Sequence, residues 1–219
     1  MIPSWLEWAN SVFLILAGLV ALLYATETFG LFKGLTLSIL VGVTTFFVEG
    51  FSAKYDVFFG NYDYTDRFPP LLFGVPIGIG FAWIVMIMAG HALVANIKNR
   101  WFAILIAASY VVVLDLLLDP VAFVAKEYWI WASSSTYYGI PWTNFMGWFI
   151  IAFVWQFILS FFSSTTAPLA AKHAIIVFYT IVILFAVIAL VHALYLALFV
   201  AIIGFIIVEG MRRWRYEKE

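Results

Sequence analysis

The chain has 219 residues, of which 66% are hydrophobic and 11% charged, with a net charge of −1; its mean hydropathy is +1.07. A water-soluble domain carries about a quarter charged residues, so this composition excludes one and suits a surface that faces lipid. The lack of cysteine excludes disulfides, thiol catalysis and thiolate metal sites, and nothing in the charge pattern marks a nucleic-acid partner.

Crossing a hydrocarbon core of ~30 Å takes roughly 20 apolar residues. Spans are predicted near 8–25, 33–52, 71–95, 101–118, 144–162, 170–190 and 193–211. They describe an all-α polytopic transmembrane helical bundle of about seven spans, one integral membrane domain over 1–219. The start, Met1-Ile2-Pro3-Ser4-Trp5, has no basic region or cleavage site, so the first apolar run is expected to stay as a span. The last two spans come from one apolar run from about His173 to Val208. As a single helix it would be on the order of 50 Å long, too long for one crossing. The division is placed near His192, although no Gly or Pro marks a turn. Lys54, Arg67 and Lys126 share the side of the N-terminus, whereas Lys33, Lys98, Arg100, Lys172, Arg212, Arg213, Arg215 and Lys218 gather opposite. The positive-inside rule then predicts a multi-pass protein of the cell membrane with a cytoplasmic C-terminus. The two long loops, 53–70 and 119–143, are rich in Tyr, Trp, Asp, Gly and Pro. They read as ordered structure over the bundle, since flexible linkers are poor in aromatics.

A carboxylate inside a span costs about 2.5–3.5 kcal/mol on insertion scales, so each one asks for a reason. In the second span Glu49 continues a stripe of Ser38, Gly42, Thr45 and Ser52 that should face the bundle interior. The third span holds Gly74 and Gly78, a small-xxx-small pair for helix packing, and then Trp83. In the fourth, Asp115 and Asp119 stack on one face at i,i+4; neighbouring carboxyls resist double ionisation, so one is expected to keep its proton. Asp119-Pro120 also reads as a helix terminator. The fifth span opens with Asn144, which also reads as its N-cap, and continues through Trp148, Ala152 and Gln156. Glu49, Asp115, Asp119 and Asn144 all fall on the outer side, beneath the aromatic loops. The structural alternative for Glu49 and Asp115 is an interhelical hydrogen bond, and for the tryptophans simple packing. Glu209 stands alone near the tail. Three scattered histidines, His91, His173 and His192, are too few for a di-iron cluster; a haem between His91 and His173 is the redox alternative to the plainer reading of each as a hydrogen-bonding group.

At its loops the chain carries Glu49, then Phe59-Gly60-Asn61-Tyr62-Asp63-Tyr64-Thr65, Gly74-Val75-Pro76 and Trp83. Further on come Asp115, Asp119-Pro120, Trp129, Trp131 and Tyr137-Tyr138-Gly139-Ile140-Pro141-Trp142-Thr143-Asn144-Phe145-Met146-Gly147-Trp148. This order resembles the carotenoid biosynthesis protein family, whose members include hydratases acting on acyclic ends of γ-carotene and of bisanhydrobacterioruberin. The resemblance covers roughly 45–150, with the last two spans alike only in hydropathy. Ser52 and Tyr55-Asp56 depart from it, standing where the family pattern has Gly and Thr-Gly.

The resemblance implies hydration of a terminal trisubstituted alkene, with an acyclic carotenoid drawn from the surrounding lipid. The chemistry needs a protonated carboxyl, an aromatic wall for a tertiary carbocation and a base to orient one water. Asp115 is the candidate acid beside Asp119, and Glu49 the water-orienting partner, with the exchange of these two roles left open. Tyr62, Tyr64, Trp83 and Trp148 would contribute cation–π stabilisation, with Asn144 beside them. No metal or other cofactor is called for. One rival reading is an intramembrane prenyltransferase holding Mg²⁺ at Asp115 and Asp119; the other is a non-enzymatic carotenoid or lipid binder or transporter. The oligomeric state is not legible.

Overall fold

The computed structural model describes residues 7–132, 135–162 and 164–216. The N-terminal start and Lys218, both used above, lie outside the described residues. Among the described residues seven helices are long and apolar enough to cross a membrane: α1 (Trp8–Phe29), α2 (Leu31–Tyr55), α3 (Ile77–Val94), α4 (Arg100–Pro120), α5 (Trp142–Leu159), α6 (Pro168–Val191) and α7 (Tyr195–Tyr216). The protein is an all-α, multi-pass membrane bundle with small β ribbons: β1 (Tyr62–Tyr64), β2 (Leu71–Leu72), β3 (Val75–Pro76) and β4 (Trp129–Trp131).

A helix that is apolar all round belongs in the middle of a bundle. α3 fits this, with 83% of its residues buried and α1, α2, α4, α5 and α6 all packed against it. The outer helices turn large apolar side chains such as Leu16, Phe47, Ile183 and Ile206 outward, onto the surface that lipid would cover.

The small-residue pair lies elsewhere than the sequence spacing suggests. Gly74 sits in the β2–β3 turn at φ 80, with nothing near a would-be Cβ, and Gly78 backs onto the Phe68 ring. The close helix crossing is between α2 and α3, where a Cβ on Gly80 would lie 3.0 Å from the Gly42 carbonyl oxygen. Gly80→Leu is therefore expected to force these helices apart and cost about 1–3 kcal/mol. A thermal midpoint in detergent equal to that of the wild type would contradict this close contact.

Two predicted spans need correction. Residues 71–76 of the third span form the β2–β3 hairpin, and helix begins only at Ile77. Phe73 and Gly74 both adopt positive φ there, and Pro70 and Pro76 have no N–H to give a helix. The fourth span does not stop before Asp119-Pro120. The helix runs through Pro120 and widens into a π turn over Val121–Ala125. Proline at 120 cannot serve the carbonyl four residues back, that of Leu116; the Tyr137 hydroxyl donates to it instead, at 2.6 Å. Asp119 is thus inside a helix rather than capping one.

The α6–α7 turn uses no glycine either. Ala193 takes the left-handed conformation at φ 58, and the Leu194 N–H closes back onto the Ala189 carbonyl at 2.8 Å, the bonding of a Schellman cap. Glu209, which stands alone in the sequence, is held by Arg212 at 2.8 Å and Arg213 at 2.6 Å and accepts from the Tyr110 hydroxyl, which ties α7 to α4.

Candidate active site

The two long loops meet over one end of the bundle. β1 pairs antiparallel with β4, Tyr62 opposite Trp131 and Tyr64 opposite Trp129. Side chains alternate along a strand, so Tyr62, Trp129 and Trp131 turn inward and are buried, with Tyr64 half-buried beside them, while Asp63 and Ile130 face out. The ribbon is extended by Ala132 N–H to Asn61 carbonyl (3.0 Å) and Thr65 N–H to Tyr128 carbonyl (2.9 Å). At its far end Arg67 pairs with Glu127 at 2.8 Å on the surface. Ser52 and Asp56 serve the turn that leads into it: Ser52 Oγ donates to the Val57 carbonyl and accepts the Phe59 N–H, and Asp56 takes φ 55. Asp56 thus adopts a backbone conformation that glycine would take without strain.

Beneath the ribbon the polar stripe of α2 faces inward and ends in buried Glu49. Its Oε1 accepts the Trp83 indole N–H at 3.0 Å; its Oε2 accepts the hydroxyls of Tyr62 (2.7 Å) and Tyr64 (2.9 Å). Burial, then the adjoining Glu49 carboxyl, push both tyrosine hydroxyls well above the usual phenol range, which keeps them donors.

One helical turn apart on α4, Asp115 and Asp119 are both buried. Asp119 Oδ1 accepts the indole N–H groups of Trp129 (2.6 Å) and Trp131 (3.1 Å). Asn144, in the first turn of α5, donates from Nδ2 to Asp119 Oδ2 at 2.7 Å and to Asp115 Oδ2 at 2.9 Å. Its side chain bridges two carboxyls and does not cap its own helix, which starts without a side-chain cap. Asp115 Oδ1 is buried with no hydrogen-bond partner among the described residues. Of the four oxygens in this pair, three already face N–H donors, an arrangement better matched to holding carboxylates than to sharing them with a divalent cation.

Glu49, Tyr62, Tyr64, Asp115, Asp119 and Asn144 line one cavity of about 20 Å³, closed by Trp148, Trp129, Trp131 and Ile79. That is room for about one water. The structure therefore brings together seven of the eight residues singled out from the sequence. Trp83 is the eighth and does not form the wall: it is fully buried behind Trp148, stacked on it at 4.3 Å, and its contact with the cavity is its hydrogen bond to Glu49. Trp129 and Trp131 join the site through the β1–β4 pairing, which the sequence alone does not reveal. His91 shares a 2.7 Å hydrogen bond with Tyr24 and lines a different cavity from His173.

The family described as carotenoid biosynthesis protein matches residues 9–209. A bisanhydrobacterioruberin hydratase of Haloarcula japonica is 31% identical over 98 residues, which cover 42% of this chain and 33% of that protein. No solved structure matches the chain significantly. With nearly its whole length matched, the chain belongs to the carotenoid biosynthesis protein family.

Proposed function

We propose that this chain is an intramembrane hydratase that adds water to the terminal trisubstituted double bond of an acyclic carotenoid. The family supports a carotenoid-modifying role, and the name of the Haloarcula relative supports the reaction class. The observation that carries the reading is the asymmetry among the acids. Every oxygen of Glu49 and Asp119 accepts a hydrogen bond, whereas Asp115 Oδ1 faces no partner in a closed, ring-lined cavity. A free oxygen in such a place suits a protonated carboxyl whose O–H waits for substrate.

In this reading Asp115 gives its proton to the less substituted alkene carbon, and the π pair forms the new C–H bond. The tertiary cation left behind lies beside the rings of Trp148, Trp129 and Trp131, where cation–π attraction would be worth about 2 kcal/mol or more once desolvated. A carboxylate offers about four acceptor sites, and three on Glu49 are taken, leaving one to orient a water. The water oxygen bonds to the cation and its surplus proton passes to Glu49, then back to Asp115 before the next turnover. One alkene and one water become one tertiary alcohol, and the residues are restored. Asp119, held on both oxygens by N–H donors, stays anionic and balances the cation.

Among the described residues Lys33, Lys98, Arg100, Lys172, Arg212 and Arg213 lie toward the end of the bundle away from this cavity, against Lys54, Arg67 and Lys126 on its side, a bias that supports placing it near the extracytoplasmic face. The test is to express the chain in a host that accumulates acyclic carotenoids and follow their masses. The expected result is a gain of one water on the carotenoid; pigment recovered unchanged would refute the hydratase reading.

A further inference from the structure

A narrow apolar slot opens beside the carboxylate cavity. It shares Ile79, Trp129 and Trp148 with that cavity, so the two adjoin through these side chains. From there it follows α3 past Ala82 to Met86, with Leu14 of α1 on one side and Ile181 and Leu184 of α6 on the other. Ile79 to Met86 is seven residues, a rise of about 10 Å along the helix. Leu184 is well exposed on the outer face, so the slot reaches the lipid-facing surface between α1 and α6.

Size and chemistry restrict what it takes. Its volume is about 70 Å³, far below the roughly 300–1,000 Å³ of pockets that enclose a whole small ligand. Its wall is hydrocarbon and ring, with polar side chains confined to Asn10 and Lys126 and the tip of Tyr128. Such a slot fits the end of a linear hydrocarbon and offers nothing to a polar head.

We infer that the slot is the substrate channel: the acyclic end of a polyene enters sideways from the bilayer between α1 and α6, and its terminal double bond lies against Trp148 and Trp129, with the rest of the chain left in lipid. This rests on the hydratase reading for the reaction but not for the binding. Ala82, midway along the slot, then sets the bore, and Leu184 guards the mouth. Because only an end is taken in, the length of the polyene beyond the slot has little influence on binding.

The test uses the full chain purified from a host making a linear carotenoid, with pigment per protein read by absorbance and conversion read by mass. Asp115→Asn is expected to keep its pigment. Ala82→Trp and Leu184→Trp, each alone and combined with Asp115→Asn, are expected to retain at least about tenfold less, the effect of unburying a couple of methylene groups. Ile183→Trp, which adds the same bulk one position away on the exposed face, is expected to retain it all. Leu184→Trp sits at the lipid edge and keeps the test readable should Ala82→Trp fold poorly. Wild-type pigment and conversion in Leu184→Trp would overturn the channel while leaving the hydratase standing. Pigment that binds the wild type, gains no water and is lost on blocking the slot would uphold the channel and remove the hydratase. No pigment on either the wild type or Asp115→Asn would overturn the channel.

Discussion

Asp115→Asn is expected to lower the rate of water addition by about 10²–10⁴-fold, the usual worth of a positioned general acid, with little change in stability. The variant keeps the shape of the side chain and an oxygen for the Asn144 amide, which now bonds to Asp115 at 2.9 Å. At the oxygen that faces the cavity without a partner it puts an amide NH2, which has no proton to give to an alkene. The measurement is single-turnover conversion of a linear carotenoid in membranes, with the thermal midpoint as a check on folding. Conversion at the wild-type rate would remove Asp115 as the acid. Conversion lost together with a collapsed midpoint would show the residue to be structural.

Asp119→Ala carries the largest expected loss of stability. Asp119 accepts from Trp129 at 2.6 Å, Trp131 at 3.1 Å and Asn144 at 2.7 Å. Truncation strands three buried donors, each costing about 1–3 kcal/mol when left unmade, so a loss of about 3 kcal/mol or more is expected. Asp119→Asn keeps one acceptor oxygen and should fall between the variant and the wild type. Because two of the stranded donors are indoles on β4, tryptophan emission should shift as well as the melting midpoint. An unchanged midpoint in Asp119→Ala would mean that the loop is held by something other than this carboxyl.

The bundle and most of the site were legible because a bilayer makes polar atoms costly. Glu49, Asp115 and Asp119 stand out in apolar runs for that reason, and counting spans was enough to put them at one end. Local rules failed where tertiary contacts override them. Pro120 looks like a stop signal, and it is tolerated because Tyr137, 21 residues beyond Leu116, supplies the donor that the Leu116 carbonyl lacks. Ala193 makes a left-handed turn that glycine would normally mark, because the flanking bonds from Leu194 to Ala189 hold it. The β1–β4 pairing joins segments more than 60 residues apart, each only three residues long, too short to show a periodicity. The roles of Trp129 and Trp131 depend on that pairing, so they were hidden with it. Trp83 was readable as a buried ring but not as a donor, since its partner is chosen by how α2 and α3 cross.

The separation of the donors along the chain bears on how the protein is made. Glu49 takes its three hydrogen bonds from Tyr62, Tyr64 and Trp83, at most 34 residues downstream. The α4 pair takes its own from Trp129, Trp131 and Asn144, at most 29 residues downstream. A nascent chain emerging from the ribosome therefore delivers each acid's partners soon after the acid itself, and the first half does not have to shelter a bare carboxyl in the bilayer until the second is synthesised.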